Sequence, residues 1–169
     1  MKIKGITALH ALIISLALCI TFFLLGIFKI TDTWPAMLAL LLFFEGKAKM
    51  DNLKNIFCGG IAGLLLPIGF LLLIAKCLIP VMGIQLSVLL AVFVFVFLII
   101  TLGDLLHIVF NNYTLLYFTV ALIVTQQSTV KWLIALVLGG GFLIALVTLV
   151  LKLIAKTKTP EKTIENAKV

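Results

Sequence analysis

The sequence contains few charged residues, no arginine, and few of the residues that enzymes use for catalysis. Only 11% of its 169 residues are charged, with six acidic residues and two histidines. The three cysteines have no spacing typical of a metal site or a disulfide framework. We find no metalloprotease, hydrolase, phosphate-binding-loop or dinucleotide-binding motif. The sequence therefore predicts a protein that is not an enzyme and that holds no metal or other cofactor.

Hydrophobic residues make up 64% of the chain. A soluble domain of this length covers itself with polar side chains, and this chain has too few of them. Four apolar runs reach the ~20 residues that a helix needs to cross a bilayer; they are residues 6–28, 56–75, 81–102 and 132–154. The sequence therefore predicts an all-α, polytopic integral membrane protein. Its membrane domain covers residues 1–154, and a polar, disordered cytoplasmic tail covers residues 155–169.

Two shorter apolar segments, residues 34–45 and 113–125, occupy matching places in the two halves of the chain. In membrane proteins built from repeats, such pairs indicate where a solute binds. The segments either cross the membrane or enter it and return. With six crossings, ten lysines lie on the cytoplasmic side and three lie outside, whereas two re-entrant segments give eight and five. The positive-inside rule therefore favours six transmembrane segments with both termini in the cytoplasm.

The two halves resemble each other when the first is shifted by about 80 residues. Trp34 then falls beside Tyr113, and one glycine pair falls on another, Gly59-Gly60 on Gly139-Gly140. Each half contains a long, a short and a long segment. Because three crossings are an odd number, the second half enters the membrane from the opposite face. The sequence thus predicts two inverted three-helix repeats, of residues 6–75 and 81–154; chance similarity between apolar segments is the alternative.

Polar residues around the short segments are the candidate solute pathway. Neutral donors and acceptors combined with aromatic rings suit a small polar solute better than a bare metal ion. Asp104 and His107, three residues apart at the end of a long segment, are a candidate gate that responds to pH. Interfacial residues that reach the headgroups are the alternative. The residues predicted to line the pathway are Trp34, Glu45, Asn112, Thr114, Tyr117 and Gln126.

Small residues four apart form the strongest packing motif. They occur as Gly59-x-x-x-Gly63 and Gly141-x-x-x-Ala145, with Gly139 beside the second pair. This spacing creates a flat helix face where two backbones approach closely. We predict that the two long helices carrying these residues pack on each other. A face that keeps a lumen open and a face that joins two copies of the chain are the alternatives.

The basic residues indicate membrane partners rather than nucleic acid. All 13 are lysine, giving a net charge of +7, and they cluster at segment ends and in the C-terminal tail. This pattern is typical of membrane topology and of attraction to anionic headgroups. The predicted partners are the lipid bilayer, a small-molecule solute and other copies of the chain in a homo-oligomer.

The tracts TDTWPAMLALLLFFEGKAKMDNLKNIFCGGIAGLLL and NNYTLLYFTVALIVTQQSTVKWLIALVLGGGFLIAL resemble the YcdZ-like family of small bacterial inner-membrane proteins. An aromatic residue opens each short segment, and glycines follow in the next long one. The resemblance covers nearly the whole chain, although the turn Glu45-Gly46-Lys47 departs from the family pattern. It implies a multi-pass protein of the bacterial inner membrane and no particular substrate.

The sequence favours a small-solute channel or secondary transporter. Since it has no ATPase motif, transport is passive, ion-coupled or dependent on another subunit. The alternative is a non-transporting scaffold or accessory subunit of another membrane complex. Transport predicts a water-accessible cavity lined by Trp34, Thr114 and Tyr117, whereas a scaffold predicts a bundle packed shut.

Overall fold

The computed structural model describes the backbone of residues 5–124 and 128–157 and the side chains of residues 11–124 and 128–152. Within these ranges the chain forms six helices and no strand, which confirms the all-α prediction. The helices are α1 (Gly5–Ile27), α2 (Trp34–Glu45), α3 (Asn52–Met82), α4 (Ile84–Leu105), α5 (Asn112–Ile123) and α6 (129–157).

Three of these helices are long and apolar enough to cross a membrane: α3, α4 and residues Thr129–Lys152 of α6. The described side chains of α1, from Ala11 onward, and the two short helices are also apolar. Large apolar side chains cover the outer surface of the bundle, as at Phe23 and Phe93, which are 72% and 67% exposed. A surface of this kind is stable in lipid and not in water. The structure thus indicates a membrane protein.

Helix α3 continues further than the sequence predicts. The sequence places the break between two apolar runs at residues 76–80, but Lys76 and Pro80 both lie inside the helix. A π-helical turn at Ile74–Leu78 interrupts the regular hydrogen bonding, and Pro80 then occupies the first turn of the α-helical segment that follows, where its missing N–H is tolerated. The chain reverses instead at Gly83, whose φ of 74° suits glycine best.

The helices of the first half (residues 5–82) recur in the second half (residues 84–157) at nearly constant spacing. Helices α2 and α5 each contain 12 residues, and they begin 78 residues apart, at Trp34 and Asn112. Helices α1 and α4 end 78 residues apart, at Ile27 and Leu105. Both third helices contain one π-helical turn, although the turn of α6, Ala135–Gly140, is not equivalent to that of α3.

Each short helix packs mainly against the third helix of the other half. Helix α5 lies along α3, and α2 lies along the π-helical turn of α6. Helix α1 covers the end of α6, and α4 covers the end of α3. The short helices are therefore interior elements, and the main core forms around them; its members include Ala39, Phe43, Ile56, Leu64, Tyr117 and Leu136.

Gly59 and Gly63 of α3 face α5, whereas Gly60 between them faces both α5 and Leu136 of α6. A Cβ atom on Gly63 would lie 2.5 Å from the carbonyl oxygen of Thr114, and one on Gly59 would lie 2.6 Å from Oδ1 of Asn111. Both distances are too short for a methyl group. The absence of side chains at these glycines therefore allows the backbone of α5 to reach α3.

The small residues of α6 face α1 and α2 in the same manner. A Cβ atom on Gly139 would lie 2.9 Å from Leu25 and 3.1 Å from the Cβ of Ala36. Gly140 and Gly141 also approach α3, with 3.7 Å and 3.9 Å from their Cβ positions to the Phe57 ring, and Ala145 is exposed. The two long helices are thus in contact, but their small residues face larger side chains and the short helices and do not face each other. A flat helix face does not specify its partner, and the short helices fill it first.

Candidate solute pathway

The start of α5 is held in place by Asn111. Its side-chain oxygen accepts hydrogen bonds from the backbone N–H groups of Tyr113 (2.9 Å) and Thr114 (3.2 Å), and its own N–H donates to the hydroxyl of Thr114 (3.2 Å). This is a capping box. The Nδ2 atom of Asn111 donates to the backbone carbonyl groups of Asn55 (3.2 Å) and His107 (3.1 Å). Asn111 thus fixes the helix start, the preceding loop and the contact with α3 together.

An open cavity of about 450 Å³, which we call the vestibule, lies where α2 ends and α5 begins. Glu45 lines it from the last residue of α2, Asp104 from the last turn of α4, and His107 from the loop between α4 and α5. Asn112 lines it from the first residue of α5. The fold thus brings together four residues that the sequence singles out.

The two gate candidates meet through a loop and not through a shared helix face. Helix α4 ends at Leu105, between Asp104 and His107. The loop then folds back over α4 and approaches Gly103, where a Cβ atom would lie 3.0 Å from the carbonyl oxygen of Phe110. Within the described residues, no group of three His, Cys, Asp or Glu side chains is placed to hold a metal ion. The gating role of Asp104 and His107 stays a prediction.

Thr114 and Tyr117 lie deeper and are fully buried. The hydroxyl of Thr114 donates to the carbonyl of Val109, and that of Tyr117 donates to the carbonyl of Pro35 in α2 at 3.1 Å. Within the described residues, the expected water-accessible cavity does not reach Thr114 or Tyr117, because neither side chain is exposed. The reason is that the glycine face of α3 packs directly on the Tyr117 ring. A Cβ atom on Gly60 would lie only 3.1 Å from that ring, so no space for water is left between them.

Trp34, Tyr117 and Trp132 form what we call the aromatic cluster. The ring centroids of Trp34 and Tyr117 are 6.1 Å apart, and those of Trp34 and Trp132 are 5.5 Å apart with an edge-to-face geometry. Aromatic pairs in this geometry stabilise a buried contact by more than the burial of their apolar surface area alone. The indole N–H of Trp132 donates to the carboxylate of Asp32 at 2.9 Å. The cluster therefore closes the space between the two halves beside the first turn of α2.

Between residues that the structure describes, side-chain hydrogen bonds join the two halves from Asn111 to Asn55, from Tyr117 to Pro35, and from Trp132 to Asp32. Sequence reasoning selected only Tyr117 among these donors. The pattern Asn-x-x-Thr before an apolar segment could have identified Asn111 as a helix cap. No local signal pairs Trp132 with Asp32, which is 100 residues away. Gln126, also predicted to line the pathway, lies outside the described residues.

No known protein family matches the chain, and no curated protein or solved structure is significantly similar to it. The resemblance to the YcdZ-like family therefore stays a prediction.

Proposed function

We propose that the chain is a six-crossing protein of the bacterial inner membrane that passes a small polar solute between its two halves, as a channel or secondary transporter. The lengths of α2 and α5 support this proposal. A helix of 12 residues is about 18 Å long, whereas the hydrocarbon core of a bilayer is about 30 Å thick. The ends of the short helices then lie at membrane depth, where polar backbone needs protein or water as a partner.

The observation that carries the proposal is that each short helix packs against the third helix of the other half. The vestibule lies where the two short helices meet. Helix α5 is held against α3, and α2 against α6. The vestibule opens at the junction of the end of α2 with the start of α5, next to Glu45 and Asn112. In transporters built from repeats, the solute binds where short or broken helices of the two halves meet.

The arrangement of the helices also supports an inverted repeat. Each half contains three helices, of which the middle one is short, and the spacing of 78 residues relates both the short helices and the ends of the first helices. The packing of each short helix in the other half is reciprocal, as a two-fold axis in the membrane plane requires. In this arrangement the vestibule faces the cytoplasm, and the aromatic cluster lies toward the opposite side.

Transport requires two packed groups of helices to move, α1, α2 and α6 in one and α3, α4 and α5 in the other, because the aromatic cluster is closed. The hydrogen bond from Tyr117 to Pro35 joins the two groups and changes when one group rocks against the other. Rocking of one repeat against the other is a common route to alternating access. Helix α1 moves with α6 and α4 with α3 because these pairs pack on each other.

The closed interior also favours a second candidate function, that of a non-transporting scaffold or accessory subunit. Thr114 and Tyr117 are fully buried and hydrogen-bonded, as a scaffold predicts. The two functions differ in one measurable property, which is the permeability of a membrane that contains the purified protein.

Reconstituted liposomes test the proposal. We expect stopped-flow light scattering to detect entry of at least one solute from a panel of acetamide, urea, acetate and methylammonium several-fold faster than in protein-free liposomes. Liposomes containing the unfolded, heat-treated protein control for leakage caused by reconstitution. Identical permeability for every solute in the panel would contradict the transport function and support a scaffold.

Cysteine labelling tests the six-crossing topology. In a variant without native cysteines, Lys29→Cys and Gly83→Cys should react with an impermeant maleimide added outside intact cells. Ala48→Cys and Ile108→Cys should react only after the membrane is opened, because two crossings separate the loop positions on each side. Labelling of all four positions from one side would exclude six crossings. This outcome concerns topology and leaves the permeability measurement to be interpreted separately.

A further inference from the structure

Trp34 carries the one polar group of the aromatic cluster that has no hydrogen-bond partner. Its Nε1 atom is buried and finds no acceptor in the structure as described. The other two polar groups of the cluster are satisfied: Tyr117 donates to the Pro35 carbonyl, and Trp132 donates to Asp32. The cluster thus contains one buried donor without a hydrogen-bond partner among the described residues.

A buried, unpaired N–H group has a physical cost. Leaving a buried donor unsatisfied costs the free energy of removing it from water, and the large majority of buried side-chain polar atoms in proteins are paired. A phenylalanine would supply the same ring contacts to Tyr117 and Trp132 without this cost. An indole at this position is therefore explained best by a hydrogen-bond acceptor that binds there during function.

The surroundings of Trp34 restrict the charge of that acceptor. Asp32, hydrogen-bonded to the adjacent Trp132, disfavours an anion by repulsion. A simple cation carries no acceptor for the indole N–H. The aromatic cluster itself consists of uncharged side chains, and moving an ion from water into such a site is unfavourable. With anions and cations both disfavoured, the acceptor for the Trp34 N–H belongs to a neutral solute.

We propose, on the basis of the transport function above, that Trp34 is the selecting hydrogen-bond donor of the pathway and that the solute is a small neutral amide. The carbonyl of an amide accepts the Trp34 N–H. Its N–H groups find acceptors in the carbonyl of Pro35 and the carboxylate of Asp32, and its flat face stacks on the rings. Binding requires Tyr117 to swing away from Trp34 and to release the Pro35 carbonyl.

The two tryptophans of the chain allow a direct binding test. A ¹⁵N–¹H spectrum of the protein in nanodiscs contains two indole signals, and Trp132→Phe identifies the one from Trp34. Addition of acetamide should shift the Trp34 signal downfield in a saturable manner and move the Trp132 signal less. Methylammonium and acetate serve as matched solutes of similar size. A Trp34 signal that acetamide leaves unchanged, or that all three solutes shift equally, overturns the proposal.

Permeability of the Trp34→Phe variant gives the second readout. The variant keeps the ring and loses the donor, so acetamide entry should fall about two- to tenfold relative to glycerol entry, the worth of one net hydrogen bond. Unchanged melting of the variant, followed by Trp132 fluorescence, controls for folding. If wild-type protein passes no solute, the transport function fails. If acetamide enters equally fast through both proteins, the donor role fails and transport stands.

Discussion

Replacing Gly63 by alanine is expected to separate α5 from α3. The new Cβ atom would lie 2.5 Å from the carbonyl oxygen of Thr114 and 2.7 Å from the Cβ of Tyr117. Rotation of a side chain cannot relieve either clash, so the helix itself must move. We expect the free energy of unfolding to fall by about 1–3 kcal/mol, the usual cost of overpacking. Titration with dodecyl sulfate in mixed micelles, followed by tryptophan fluorescence, measures this quantity.

Gly69→Ala is the matched control, since Gly69 lies on the same helix. There the added Cβ would lie 3.6 Å from the Phe95 ring, an ordinary contact. Helix propensity alone then predicts a stabilisation of up to about 1 kcal/mol. Equal destabilisation by the two substitutions would mean that Gly63 does not support a close contact with α5.

Replacing Asn111 by alanine is expected to release the start of α5 from three neighbours at once. The substitution removes the helix cap, the hydrogen bonds to the loop, and the hydrogen bond to the Asn55 carbonyl of α3. Loss of a cap alone costs about 0.5–2 kcal/mol, and the lost cross-helix bond raises the total to about 2–3 kcal/mol. The same unfolding titration measures the change.

Asn112→Ala provides the comparison for this prediction. Asn112 is the adjacent residue, has the same chemistry and is exposed at the first position of α5. Its substitution should change the free energy of unfolding by less than about 0.5 kcal/mol, as expected for a surface site. If Asn112→Ala lowered the free energy of unfolding as much as Asn111→Ala, the specific hydrogen bonds of Asn111 would not be the cause of the destabilisation.

The vestibule could be predicted from the sequence because its residues lie at segment ends. Glu45, Asp104 and Asn112 are within a few residues of the points where apolar runs stop, and segment length decides which depth in the membrane each one occupies. Their meeting in one cavity is set by the tertiary structure, which brings the end of α2 beside the start of α5.

The buried half of the candidate site could be predicted only in part. The spacing of Thr114 and Tyr117 indicates a common helix face, which the structure contains, but not the direction of that face. The face turns toward the glycines of α3, and this orientation removes both side chains from water. Trp132 and Asp32 were missed as partners because their contact is set by the fold of both halves and by no local pattern.

The helical class, the number of helices and the shortness of α2 and α5 follow from the amino-acid sequence alone. These properties are local, because hydrophobic run length, caps and glycines act over a few residues. The packing of each short helix in the opposite half, and the aromatic rings that close the space between the halves, are seen only in three dimensions. In a chain whose helices are apolar on every side, hydrophobicity does not distinguish one partner from another, so close packing and the hydrogen bonds between the halves make that choice.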